Sequence, residues 1–182
     1  RLAHAFEASA TDHDRALARI VTPAAKYWIC KRAPMVALEA MEVLGGNGYV
    51  EEMPLARLYR EAPVNSIWEG SGNIMCLDVL RALERTPNAA EVLRHELGEA
   101  KNVRIKTFAE RIEKRLAAHD HADESQARAL VRDLIVALQG SLLARHSPSN
   151  VSDAFCASRL DGEGTSAFGL LPRGLDARGI AE

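Results

Sequence analysis

Glu69 follows two large apolar residues, Ile67 and Trp68, and precedes Gly70, Ser71 and Asn73. A carboxylate beside such neighbours is partly desolvated, which raises its pKa and makes it a stronger base toward a proton within reach. Earlier in the chain Gly45, Gly46 and Gly48 surround Asn47, and glycines at a turn take positive φ and let backbone approach a ligand closely. Ser71 and Asn73 open a helical pattern whose free N–H groups suit a phosphate. Each residue also has a plainer reading. A carboxylate just before a helix is welcomed by the macrodipole, a serine there caps it, a tryptophan fills a core, and paired glycines close a helix and turn. Gly45 and Gly46 are no dinucleotide fingerprint, since no strand precedes them and the glycine spacing is wrong.

Three further groups have residue types that could bind phosphate or metal or react as thiols. Arg94, Lys101, Arg104, Lys106, Arg111, Lys114 and Arg115 face Glu96, Glu99, Glu110 and Glu113; this is either a solvated face laced with ion pairs or a modest positive surface for phosphates. His119, Asp120, His121 and Asp123 crowd one short polar linker without partners at ligand spacing, which reads as a solvated turn, and Asp12-His13-Asp14 reads the same way; no metal site is expected. Cys30, Cys76 and Cys156 are odd in number and far apart in apolar or helical surroundings, the pattern of reduced core thiols. A net charge of −2 over 182 residues gives no global pull toward nucleic acid or membrane, and charges interrupt every apolar run, so no transmembrane helix fits.

The elements that must position these residues are helical. Residues 2–10 carry a helical pattern, broken by capping types at Thr11-Asp12-His13-Asp14. A long helix is expected to follow up to Leu44, kinked or split at Pro23 and Pro34, and to end at Gly45-Gly46. Proline at a first helical position predicts a short helix over Pro54 to Glu61, a loop over residues 62–70, and a buried helix from about Ser71 to Leu83. After Thr86-Pro87-Asn88, apolar residues at Leu93, Leu97, Ile105, Phe108 and Ile112, then at Leu130, Leu134, Ile135 and Leu138, predict an antiparallel helix pair. Gly98 is a potential interruption. Another helix is expected over residues 150–160, then a glycine-rich tail with at most one helical turn near Phe168. No strand alternation or repeat is visible, so the fold class is all-α.

The run Gly45-Gly46-Asn47-Gly48-Tyr49, with Pro54, Arg60-Glu61 and Trp68-Glu69-Gly70-Ser71, resembles the C-terminal helical domain of the acyl-CoA dehydrogenase family. Residues 41–49, 58–75 and Cys76-Leu77-Asp78-Val79-Leu80-Arg81 are most similar to its AidB-like branch, flavoproteins linked to alkylation stress in bacteria. The likeness is ungapped over residues 42–83 and weakens beyond Arg85 to a helical extension of similar length.

The resemblance implies that Glu69 is the base removing the α-proton of an acyl-CoA thioester while FAD takes the β-hydride. It implies cofactor contacts at Gly45, Gly46, Trp68, Ser71 and Asn73, with the Gly45 turn approaching the flavin of a neighbouring subunit. One departure stands out: many relatives carry a glutamine where this chain has Glu42, an acid unfavourable near a pyrophosphate. The expected organisation is a helical-bundle part over residues 1–86 and a helical extension over 87–182. Because the chain begins at Arg1 rather than methionine and within a helical pattern, it is expected to be part of a longer protein; the reduced thiols point to the cytoplasm, and the resemblance implies a homodimer or homotetramer in which this part alone is inactive. Two rival roles fit the same residues, a duplex-DNA-binding module in the extension and a bundle that drives assembly.

Overall fold

The computed structural model describes residues 1–98, 102–118, 123–161 and 168–181. Among the described residues there are helices and no strands, so the chain is all-α. None of these helices is long and apolar enough to cross a membrane.

Helix α1, Asp12–Val43, is the spine. Its start is a capping box: the Thr11 hydroxyl accepts from Asp14 N at 3.2 Å, and the Asp14 carboxylate accepts from Thr11 N at 2.9 Å and from the Thr11 hydroxyl at 2.6 Å. Such a cap stabilises a helix by about 1 kcal/mol. These bonds, with a smaller contribution from Arg1, hold the Asp14 carboxyl well below the usual carboxylate range. The expected helix over residues 2–10 is confined to a 3-10 turn at His4–Phe6, after which Glu7 is extended. A segment that short is marginal as a helix unless packing supports it. The expected split of α1 is also absent: the helix continues through Pro23 and Pro34. Pro23 lies in the face that buries Leu17, Ile20, Val21 and Ala24, and that tertiary packing outweighs the lost backbone donor.

The helix ends at Leu44, and Gly45 at φ +57° reverses the chain into α2, Gly46–Tyr49. Helix α3, Pro54–Glu61, begins on its proline as expected. The segment read as loop contains a 3-10 helix, Ala62–Ser66. Helix α4, Gly72–Arg85, packs along α1 and buries Cys76, Val79, Leu80 and Leu83 at spacings of three and four. Ile74 was expected inside but is 48% exposed.

Asn88 at φ +57° turns the chain into α5, Ala89–Gly98, and α6 follows at Val103–Ala117. Helix α7, Ala127–His146, contacts α1, α4, α5 and α6. Helix α8 is Ser149–Arg159, and a short unanticipated α9, Ala177–Ala181, closes the described chain. One apolar cluster runs from Leu17 through Val79, Ile105 and Leu134 to Leu160, so it crosses the sequence division at residue 86.

Candidate functional site

Glu69 stands on a reversal that the chain makes between the 3-10 helix and α4. Ile67 N and Trp68 N both donate to Val64 O, at 2.9 and 3.1 Å, and the Trp68 indole N–H donates to Asn65 Oδ1 at 3.2 Å. Glu69 then takes φ +51° and Gly70 φ +107°. Two successive left-handed residues turn the backbone sharply, and for a non-glycine residue that conformation costs about 1–2 kcal/mol. Lys26 of α1 opposes the strain: its ammonium donates to Trp68 O at 2.7 Å and to Gly70 O. Hydrogen bonds from a charged donor are stronger than neutral ones, so the two offset part of the cost of the turn. Gly72 fits closely below, where a β-carbon would lie 2.7 Å from Lys31 Cε.

Glu69, Lys26, Thr22, Pro23, Arg19 and Met75 line part of a groove of about 560 Å³ between α1 and α4. Its other cations are neutralised. Arg19 makes a bidentate pair with Asp78 at 2.8 and 2.9 Å, and Arg15 reaches Asp12 at 2.9 Å. Lys26 has no carboxylate partner among the described residues. The Glu69 side chain is exposed, and the apolar neighbours expected to desolvate it are 66% exposed at Ile67 and 55% at Trp68. The apolar shielding anticipated from the sequence is therefore not supplied by this chain.

Ser71 is the N-cap of α4, extended at ψ 163°, yet its side chain makes no capping bond. The hydroxyl is exposed. Asn73 Oδ1 accepts from Arg128 Nε of α7 at 3.3 Å. Trp68, Glu69, Ser71 and Asn73 thus share one corner. Gly45 and Gly46 do not: they follow the far end of α1, roughly 25 Å along the helix from Lys26. A β-carbon on either would meet nothing within 4 Å, and Glu42 beside them is exposed.

Two functional-looking features escaped sequence reasoning. Lys26 gave no local signal. Glu96, counted there among solvated charges, has a side chain only 3% exposed. Its spacing from Leu93 and Leu97 places it on the apolar stripe of α5, and that was the available clue. Glu96 Oε1 accepts from Arg1 at 2.8 and 2.5 Å and lies 3.3 Å from His13 Nε2; Oε2 lies 3.4 Å from Arg145 Nη2. Burial pushes its pKa up, but the bonds from Arg1, His13 and Arg145 outweigh that and hold it below the ordinary value. His13 therefore belongs to this network rather than to a solvated turn. Ligand atoms of His13, His95 and Glu96 lie within 4.8 Å of one another, but two guanidinium groups already hold that carboxylate, which makes the cluster an ion-pair network by its chemistry.

In the basic segment, Arg94 pairs with Glu113 at 3.0 Å, Arg104 with Asp161 at 2.5 Å and Arg115 with Asp133 at 3.1 Å. Arg111 stacks on Phe108 at 4.3 Å. Lys101, His119, Asp120 and His121 lie outside the described residues, while Asp123 caps a 3-10 turn by accepting from Ser125 N at 2.9 Å.

Residues 1–84 match the family model for the acyl-CoA dehydrogenase C-terminal domain. Over 165 residues the chain is 42% identical to the putative acyl-CoA dehydrogenase AidB of Escherichia coli (strain K12), covering 90% of this chain and 30% of that protein. It is 29% identical over 154 residues to acyl-CoA dehydrogenase family member 11 of Caenorhabditis elegans, covering 82% of this chain and 25% of that protein. The crystal structure of Caenorhabditis elegans ACDH-11 in complex with C11-CoA superposes with a TM-score of 0.68 at 27% identity, over 84% of this chain and 28% of that one. The chain thus spans less than a third of the length of these relatives.

Proposed function

We propose that this chain, which belongs to the acyl-CoA dehydrogenase family through its C-terminal helical domain, supplies the catalytic carboxylate and part of the flavin site of a larger cytoplasmic oxidoreductase. The observation that carries this reading is Glu69: an exposed carboxylate on a fixed left-handed turn at the edge of the groove between α1 and α4. A thioester seated there presents its α-proton to Glu69, which takes it as general base. FAD, when bound, supplies the two-electron acceptor for the β-hydride.

The residues at this corner fit a flavin's phosphate-bearing end. The Ser71 hydroxyl is uncommitted to its own helix, so it and the N–H groups opening α4 are free to bind an anion. Asn73 adds a polar group braced by Arg128, and Trp68, 55% exposed, is available to stack near the isoalloxazine. Gly45 and Gly46, at the other end of α1, serve a second flavin site across a subunit interface. The exposed apolar residues nearby, Val43 at 85% and Tyr49 at 76%, support a homodimer or homotetramer formed there. Residues 1–86 carry the site and 87–182 brace it as an extension, and the chain alone is expected to be inactive. The duplex-DNA alternative draws less support, because Arg94, Arg104 and Arg115 are already paired with carboxylates.

The test is flavin reduction by acyl-CoA thioesters of varied chain length in the full-length, FAD-loaded protein. Glu69→Gln is expected to slow reduction by roughly 10²- to 10⁴-fold, the usual contribution of a positioned base. Reduction at the parent rate would remove Glu69 from the mechanism.

A further inference from the structure

We propose that Lys26 is the positioning residue of this site: its ammonium, bridging the carbonyls on either side of Glu69, fixes the turn that aims the base. The proposal rests on the reading of Glu69 as the base.

The geometry separates this role from an ordinary surface lysine. Lys26 is half-buried on α1, and its contacts are backbone carbonyls rather than an acid: Trp68 O at 2.7 Å and Gly70 O. Those two carbonyls bracket Glu69, a non-glycine residue held at φ +51°. Left-handed backbone at such a residue persists only where the surroundings over-determine it. Peptide oxygens on both sides of the turn point at one cation, so relaxing Glu69 toward the right-handed or extended region would break at least one of the two bonds. The bridge also crosses from one element to another. It ties the reversal before α4 to the rigid middle of α1, beside the buried residues Val21, Pro23 and Ala24. A base must stand within hydrogen-bond reach of the proton it takes, and a misplacement of about 1 Å costs roughly 100-fold in rate. Without the bridge, Glu69 keeps its chemistry and loses its aim.

The experiment uses the full-length FAD-loaded protein with Lys26→Met, Lys26→Arg and Glu69→Gln. Methionine keeps the unbranched stem without the donors; arginine keeps a cation with donors enough for both carbonyls. Lys26→Met is expected to lower the rate constant of flavin reduction by acyl-CoA roughly 10- to 100-fold with little change in half-saturation, and Lys26→Arg to recover part of it. Amide hydrogen exchange across residues 67–71 is expected to speed up in Lys26→Met while the core of α4 keeps its protection, and flavin content is expected to be unchanged. Parent-like reduction in Lys26→Met, or unchanged exchange in the turn, overturns the proposal. So does a uniform loss of protection throughout α1 and α4, which would make Lys26 a general stability residue. If Glu69→Gln itself reduces flavin normally, the reading of the base fails; if only Glu69→Gln is slow, the base stands and the role of Lys26 falls.

Discussion

Gly48 backs onto Met41 so closely that a β-carbon on it would lie 2.3 Å from the Met41 carbonyl oxygen. The contact is backbone on backbone, so no side chain can swing away to relieve it. The turn after α1 is therefore locked to the last turn of that helix by the absence of a single carbon.

Gly48→Ala should consequently destabilise the fold by about 1–3 kcal/mol, the usual cost of overpacking, measured by denaturant unfolding. Gly46 makes a useful contrast, because a β-carbon there meets open space and the residue is already helical. Gly46→Ala should leave stability unchanged or slightly raise it. In the full-length protein the same substitution should weaken flavin retention, a loss that impaired folding would not explain.

The buried network around Glu96 predicts a large and pH-dependent effect. Removing one partner of a buried ion pair leaves the other charge uncompensated, so Glu96→Ala should cost about 3–5 kcal/mol, whereas breaking the exposed Arg57–Glu61 pair should barely change stability. Asp14 and Glu96 both have pKa values below their ordinary ones in the folded chain. Groups of that kind contribute stability that is present above the unfolded pKa, near 4, and is lost as pH falls toward the folded value. Thermal midpoints measured from pH 7 to pH 3 should therefore decline on the acid side, and Glu96→Gln should start lower at pH 7 and decline less steeply.

The pairing of Arg104 with Asp161 bears on any DNA contact by the extension. An arginine that neutralises a phosphate contributes about one unit to the salt slope of binding. Arg104 would have to leave its carboxylate first, so Arg104→Ala should change neither duplex affinity nor its salt dependence in gel-shift titrations. Asp161→Ala should raise non-specific affinity at low salt if the surface meets DNA at all. A clear loss of affinity in Arg104→Ala would restore the DNA-binding role.

Much of the helical layout was legible because its signals are local. Pro54 at a first helical position, Ser71 before an apolar run and the capping types over Thr11-Asp12-His13-Asp14 each mark a helix boundary whatever the rest of the chain does. What failed were judgements in which distant packing decides. Residues 2–10 carry a helical pattern and pack Leu2, Ala5 and Ala10 inward, yet so short a segment closes as a 3-10 turn, whereas α1 survives two prolines because its inner face is buried. The site divides in the same way. That Glu69, Trp68, Ser71 and Asn73 stand together at the start of α4 follows from their adjacency in the chain. The left-handed backbone of Glu69 was not legible there, since residue type argues against it, nor was Lys26, which reaches carbonyls 42 and 44 residues away.

The cysteines give a last prediction, which tests the core. Cys76 and Cys156 are fully buried, and burial pushes each thiol up to about 11. At pH 8 such a thiol is ionised to roughly one part in a thousand, and the thiolate is the reactive form. Cys30 is only half-buried. An aromatic disulfide reagent at pH 8 should therefore modify one thiol per chain in the native protein, and none in Cys30→Ala. The other two should react only as the fold opens, at the rate of global unfolding, because both belong to the apolar cluster that joins α1, α4 and α7. Rapid modification of Cys76 or Cys156 in the native protein would mean that this cluster opens locally.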